Sequence, residues 1–161
     1  VFLPACARFW TDRNQGRRPC FSVANSEVEG EWVGRRYKDA GLIWIRGGDR
    51  GVDNDEQKEI IRAMARGLRK GDGGNHLITL HPNGGSSSSK TFHDDVWLDF
   101  NMRQNGPCTE LTARCGQTRA AYYRNPVQTV MSVDATYDAD TVAFAAKATG
   151  NQDASDVHSP S

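Results

Sequence analysis

The sequence has no excess charge of either sign: its 161 residues hold twenty Lys and Arg against twenty Asp and Glu. A nucleic-acid binder usually concentrates a basic surplus on one face, so nucleic acid is not an expected partner, and long-range steering toward phosphate or anionic lipid is not expected either. Long apolar runs are missing too. No segment approaches the ~18 apolar residues that a membrane-spanning helix needs, so no membrane association is expected. Cysteine is scarce, at positions Cys6, Cys20, Cys108 and Cys115. None forms a CxxC pair and the spacing matches no zinc site; free thiols and two disulfides in any of three pairings stay open. The set His76, His81, His93, Asp94 and Asp95 contains no HExxH or paired-ligand spacing, so no metal is expected. Valine opens the chain in place of methionine, and no basic-then-apolar leader follows it. The chain is therefore expected to be a processed product or a piece of something longer.

What is present is an alternation of short apolar runs and amphipathic stretches. Val1-Phe2-Leu3-Pro4 reads as the end of a strand. Ser26 with Glu29 resembles a capping box, and Val28, Trp32 and Val33 follow at helical spacing, which predicts a helix over about 27–38. Gly41-Leu42-Ile43-Trp44-Ile45 reads as a strand buried on both faces. Ile60, Ile61, Met64, Ala65 and Leu68 form the apolar stripe of a helix over about 55–70. Its acidic first turn and basic last turn suit the helix dipole. His76-Leu77-Ile78-Thr79-Leu80 predicts a third strand, and the Ser86 to Ser89 run after it reads as a flexible loop. Val96-Trp97-Leu98-Asp99-Phe100 predicts a fourth strand, 109–121 a weaker helix, and 127–133 a last strand. Residues 1–150 are expected to form one domain and 151–161 a disordered polar tail.

Strands alternating with helices imply a parallel sheet with helices packed outside it. Two architectures fit, a doubly wound sheet and a (β/α)8 barrel. A barrel seldom takes fewer than ~200 residues, so this chain would supply only part of one. In both, the site lies at the carboxyl ends of the strands. The residues there are Gly47-Gly48-Asp49-Arg50, His81-Pro82, then Asn101, Gln104 and Asn105, and finally Asp134. This collection of carboxylates, amides and an imidazole suits the hydroxyls of a carbohydrate, and two carboxylates from different strands are what glycoside hydrolysis requires. Gly84-Gly85-Ser86-Ser87 could form an anion-binding nest, but it lacks the lysine pattern of a phosphate loop.

Arg36-Tyr37-Lys38-Asp39, Ile43-Trp44-Ile45, Gly47-Gly48-Asp49-Arg50, Ala63-Met64-Ala65, Leu77-Ile78-Thr79 with His81-Pro82, Gly85-Ser86-Ser87-Ser88 and Trp97-Leu98-Asp99-Phe100-Asn101-Met102 occur in this order. The ordered series resembles the apiosidase-like glycoside hydrolases, whose catalytic domain is a (β/α)8 barrel often followed by a putative collagen-binding domain. The resemblance implies an incomplete TIM-type barrel comprising about strands three to seven. It implies Asp49 as general acid/base and Asp134 as nucleophile, standing where the family carries glutamate. Arg50, His81, Asn101 and Gln104 would hold sugar hydroxyls or orient the carboxylates. It further implies a plant-type polysaccharide side chain as substrate, no cofactor, and a secreted or periplasmic location. Two other departures stand beside Asp134: Gln104-Asn105-Gly106-Pro107 replaces the family's Gln-Ser-Gly-His, and strands one, two and eight are missing. These favour the rival reading, a catalytically impaired fragment or remnant with weak or no sugar binding. A doubly wound domain with an unrelated ligand is the third reading.

Overall fold

The computed structural model describes residues 2–5, 21–48, 51–105 and 111–133. Among them the elements run β1 (Phe2–Ala5), α1 (Val23–Arg36), β2 (Ile43–Gly47), α2 (Asp55–Asp72), β3 (Ile78–His81), α3 (Ser89–Phe92), β4 (Asn101–Gln104), α4 (Leu111–Tyr122) and β5 (Val130–Val133). β1, β2 and β3 form a parallel sheet in chain order, and β4 pairs in parallel with β5. A doubly wound sheet reverses its strand order at a switch point; among the described residues the order does not reverse. The tail expected at 151–161 lies outside the described residues.

The two sheets meet along β3 and β4, and side chains complete the seam. Asp99 N donates to Ile78 O at 3.0 Å, and Ile78 N donates to the Asp99 carboxylate at 2.6 Å. The Thr79 hydroxyl donates to Phe100 O at 2.7 Å. Farther along, the serine-rich segment folds back onto β4. Gly85 N donates to Gln104 O at 3.1 Å, Gln104 N to Ser86 O at 3.1 Å, and Ser88 N to Met102 O at 2.9 Å. Ser87, Ser88 and Ser89 are buried. The flexible loop expected there is thus an anchored turn, because its main chain finds partners on a strand, which local composition does not record.

Several boundaries shift for identifiable reasons. α1 begins earlier than expected because Ser22 and Asn25 form the capping box, each side chain bonded to the other's main-chain N–H. Ser26 then lies inside the helix, its hydroxyl donating to Ser22 O at 2.7 Å. The fourth strand begins at Asn101, not Val96. Val96 is 100% exposed at the tip of a turn. That turn is held by Asp95, whose carboxylate accepts from the Trp97 indole at 2.7 Å and from Arg62 of α2 at 2.7 and 2.9 Å.

Of the apolar stripe expected on α1, Val33 packs against the core but Val28 and Trp32 do not. Val28 is 70% and Trp32 61% exposed, while Ser26, Gly30 and Gly34 are buried. These small residues recur every fourth position, as do Ala63, Gly67 and Gly71 on α2, so each helix presents a strip without bulk. The two helices run parallel with their backbones in contact. A Cβ built on Gly67 would lie 2.1 Å from Glu27 O, on Gly71 2.2 Å from Glu31 O, and on Gly30 2.5 Å from Met64 O. No side chain larger than hydrogen fits there.

Alternation along the strands separates two apolar layers. Trp44, Ile78 and Leu80 face α2, joining Ile61, Ala65, Leu68, Phe92, Trp97 and Leu98. Ile45, Phe100 and Met102 form a second cluster on the opposite, inner face, with Val133 against it. A buried carboxylate ties the outer layer together: Asp72, at the end of α2, accepts from the Trp44 indole at 2.8 Å and from Gly74 N at 2.8 Å. It also faces His76 Nδ1 at 3.1 Å, while His76 Nε2 meets Ala40 O at 2.7 Å.

Two predictions follow from this packing. Gly67→Ala should lower stability by about 2 kcal/mol or more in chemical denaturation, since overpacking outweighs alanine's better helix propensity. Gly116→Ala, where nothing lies within 4 Å of the new Cβ, should leave stability unchanged or raise it by up to about 1 kcal/mol. The second concerns Asp95. Partial burial opposes its charge, but hydrogen bonds from Arg62 and Trp97 and the Arg62 charge outweigh burial and hold its carboxyl below the usual range. A depressed folded-state value contributes stability above the unfolded value near ~3.9, and this is lost as pH falls through the folded value. Asp95→Asn should therefore cost about 1–3 kcal/mol at pH 7. The gap to the parent should close as the pH falls through the depressed folded-state value of Asp95.

Candidate active site

The inner-face alternation decides which strand-end residues share a side. On β3, Ile78 and Leu80 pack outward, so Thr79 and His81 face inward. On β4, Met102 lies in the inner cluster, so Gln104 faces inward with it, whereas Asn101 and Arg103 face the helices. Gly47 pairs with His81 at the carboxyl ends of β2 and β3, and Gly48 N donates to His81 O at 3.3 Å. A Cβ on Gly47 would lie 2.6 Å from that same carbonyl, and its φ of +78° is one that side chains disfavour. The β2 end thus closes tightly over β3 one residue before the Gly48-Asp49 step.

On the other sheet, Gln104 pairs with Val133 and Asn105 N donates to Val133 O at 3.1 Å. Asn105 is a clamp here. Its Nδ2 donates to Ser132 Oγ at 2.7 Å and its Oδ1 accepts from Arg103 at 2.5 Å. Arg103 also donates to Gln117 of α4. The β5 end is thereby fixed to β4 immediately before position 134. Asp49, Arg50 and Asp134 themselves lie outside the described residues, so their expected convergence in one cleft rests on the chain positions that flank them.

Of the expected sugar-holding residues, His81 and Gln104 stand on the inner face at strand ends. His81 is half-buried, and its Nδ1–H donates to Pro82 O at 2.9 Å. Gln104 is buried. Asn101 departs from the expectation. It begins β4, at the amino end, and is 0% exposed. Its Oδ1 accepts from Ser88 Oγ at 3.1 Å, and its Nδ2 faces Gln128 Oε1 at 2.8 Å and His93 Nδ1 at 3.1 Å. His93 Nε2–H in turn donates to Pro126 O at 2.9 Å, which leaves Nδ1 as the acceptor. The amide is consumed in holding the serine turn, α3 and the entry to β5 around β4. His76, His93 and Asp95 likewise sit in three separate networks. Sequence reasoning missed Arg103 and Ser132. β4 reads Asn101-Met102-Arg103-Gln104 with Met102 its one apolar residue, so no apolar pattern marked the first as buried.

The inner face lies open toward the amino ends of the strands. A cavity of about 460 Å³ there is lined by Ile43, Ile45, Phe100 and Met131 among others, which accounts for the exposure of Ile43 and Met131.

The chain matches the apiosidase-like catalytic domain over residues 2–159. It belongs to the apiosidase-like family. Two solved structures have the same fold over 73% of this chain. One is a glycoside hydrolase family 5 protein from Bacteroides vulgatus ATCC 8482, 32% identical with a TM-score of 0.61; the other is a glycoside hydrolase, 28% identical with a TM-score of 0.61. The apiosidase-like chain spans 28% and 29% of their respective lengths. No curated protein matches it. The parallel α/β arrangement with helices outside is thus that of glycoside hydrolases, and carboxyl strand ends are where such a fold keeps its chemistry.

Because Asn101 serves the frame, Asn101→Ala should cost about 2 kcal/mol or more in denaturant unfolding, since it strips partners from buried Ser88 and His93 and from half-buried Gln128. A stability loss below about 0.5 kcal/mol, the range of surface substitutions, would contradict that role.

Proposed function

We propose that this chain is the strand-three-to-seven portion of a (β/α)8 glycosidase barrel. In the whole barrel it contributes both catalytic carboxylates. Asp49 protonates the leaving glycosidic oxygen and later takes a proton from water. Asp134 attacks the anomeric carbon. Arg50, His81 and Gln104 hold sugar hydroxyls around them. The substrate class is a side chain of a plant-type polysaccharide. One observation carries the reading: two independently clamped pairs of strand ends, Gly47 with His81 and Gln104 with Val133, stop two residues before Asp49 and one before Asp134. A barrel draws its catalytic residues from the ends of several strands, so their separation in sequence is no obstacle. No cofactor is needed, because proton transfer and nucleophilic attack are both within the reach of carboxylates.

A second reading is a fragment or remnant that binds sugar weakly or not at all. The short span relative to the similar structures favours it. So does Asp134, because aspartate is one methylene shorter than the glutamate implied by the family, and a displacement of about 1 Å at the reacting atom can cost on the order of 100-fold.

Glycosidase assay of the 161-residue chain and of a longer protein that contains it separates the readings. In an active protein Asp49→Asn should lower the rate roughly 100- to 10,000-fold on substrates with poor leaving groups and much less on activated ones. Asp134→Glu should raise the rate. Unchanged or lower activity for Asp134→Glu in a well-folded protein would remove Asp134 as nucleophile. Inactivity of both lengths, unrelieved by Asp134→Glu, would favour the remnant.

A further inference from the structure

Among the described residues, cations are mostly neutralised where they gather. The depression of about 770 Å³ between α2 and the turn at 94–97 is lined by Arg62, Arg66, Arg69 and Lys70. Each of the four has a carboxylate, on Asp95, Glu27, Asp99 and Glu31 in turn. That surface is crowded with charge but offers little to an anion.

A second cavity has a different balance. It holds about 480 Å³ between the serine turn and α4, and its lining includes Ser86, Ser87, Ser89, Lys90, Gln117 and Arg124. No acidic side chain among the described residues lines it. Arg124 donates to Ser89 O, a neutral acceptor, and Lys90 forms none of the described ion pairs. Arg103 also lines the cavity but is bonded to Asn105 and Gln117, so Lys90 and Arg124 are the two cations that border it without a countercharge from the described residues. Its volume lies inside the ~300–1,000 Å³ range of small-molecule sites. The backbone nest that Gly84 to Ser87 could have formed is absent, since the N–H groups of Gly85, Ser86 and Ser88 are spent on Gln104, Asn83 and Met102. Recognition falls to side chains: the two cations, and the Ser86 hydroxyl at the rim.

The geometry points to an oxyanion-binding site in this cavity, in which Lys90 and Arg124 hold the anionic group and Ser86 donates to it. The site lies on the helix-facing side of β4, away from the inner face, and its occupancy does not depend on Asp49 or Asp134. The chemistry is charge-assisted hydrogen bonding to a carboxylate or phosphate oxygen. An acidic sugar and free phosphate both supply it.

The test titrates the 161-residue chain at low ionic strength with glucuronate, with inorganic phosphate and, as the uncharged comparison, with glucose, following amide NMR shifts of residues 85–90. Saturable shifts with Kd on the order of millimolar are expected for glucuronate or phosphate and none for glucose. Lys90→Gln together with Arg124→Lys should weaken binding about tenfold while keeping the tether to Ser89. Lys58→Gln, which removes a charge elsewhere, should leave it unchanged. Tighter glucuronate than phosphate assigns the site to acidic sugars, and the reverse assigns it to free phosphate. Absence of saturable shifts with either anion overturns the proposal. So does equal weakening by Lys58→Gln, or binding that survives the paired substitutions in a folded chain.

Discussion

The arrangement depends on how β3 is joined to β4. These two strands belong to separately paired sheets, and the join is made by the Asp99 carboxylate on Ile78 N, the Thr79 hydroxyl on Phe100 O and one main-chain bond between the same segments. In a low-dielectric interior each such bond is expensive to leave unmade. The seam therefore fixes the register of one sheet against the other. It brings the β2–β3 pair of strand ends alongside the β4–β5 pair. Arg69 reinforces it from α2 by reaching Asp99 and the His76 carbonyl, so helix layer and seam are held by one side chain.

The stretch Trp97 to Met102 gains a physical meaning from this. Trp97 and Leu98 fill the outer layer, Phe100 and Met102 the inner one. Asp99 closes the seam, and Asn101 gathers the serine turn and the approach to β5. Six consecutive residues thus serve two cores and two polar networks. Few other side chains would satisfy all of these at once.

Element order and the parallel alternation were legible in the sequence, because strands and the α2 stripe leave periodic apolar patterns. The buried face of α1 was not. Periodicity weighs hydrophobicity, and the contact between α1 and α2 is made by Gly30, Gly34, Gly67 and Gly71, which score as nothing. Val28 and Trp32 carried the apolar signal and point to solvent. The four-residue spacing of small residues on both helices was the readable clue. The site was legible in part: His81 and Gln104 fall on the inner face, but Asn101 was read from a strand placed five residues too early, which put it at the wrong end of β4. The serine turn was misread because its partners are remote main-chain atoms that local composition does not show.

The glycine contact between α1 and α2 also sets an unusual entropic balance. Glycine, alanine and serine have few rotamers to lose, so bringing these two helices together freezes little side-chain motion. The cost falls on the unfolded chain instead, where each helical glycine gives up backbone freedom worth roughly 0.5–1 kcal/mol relative to alanine. Once docked, the pair leaves side-chain freedom mainly at its exposed edge, in the Arg66–Glu27 and Lys70–Glu31 pairs. The two helices are thus joined main chain to main chain, a contact that any added side chain on Gly67 or Gly71 would force apart.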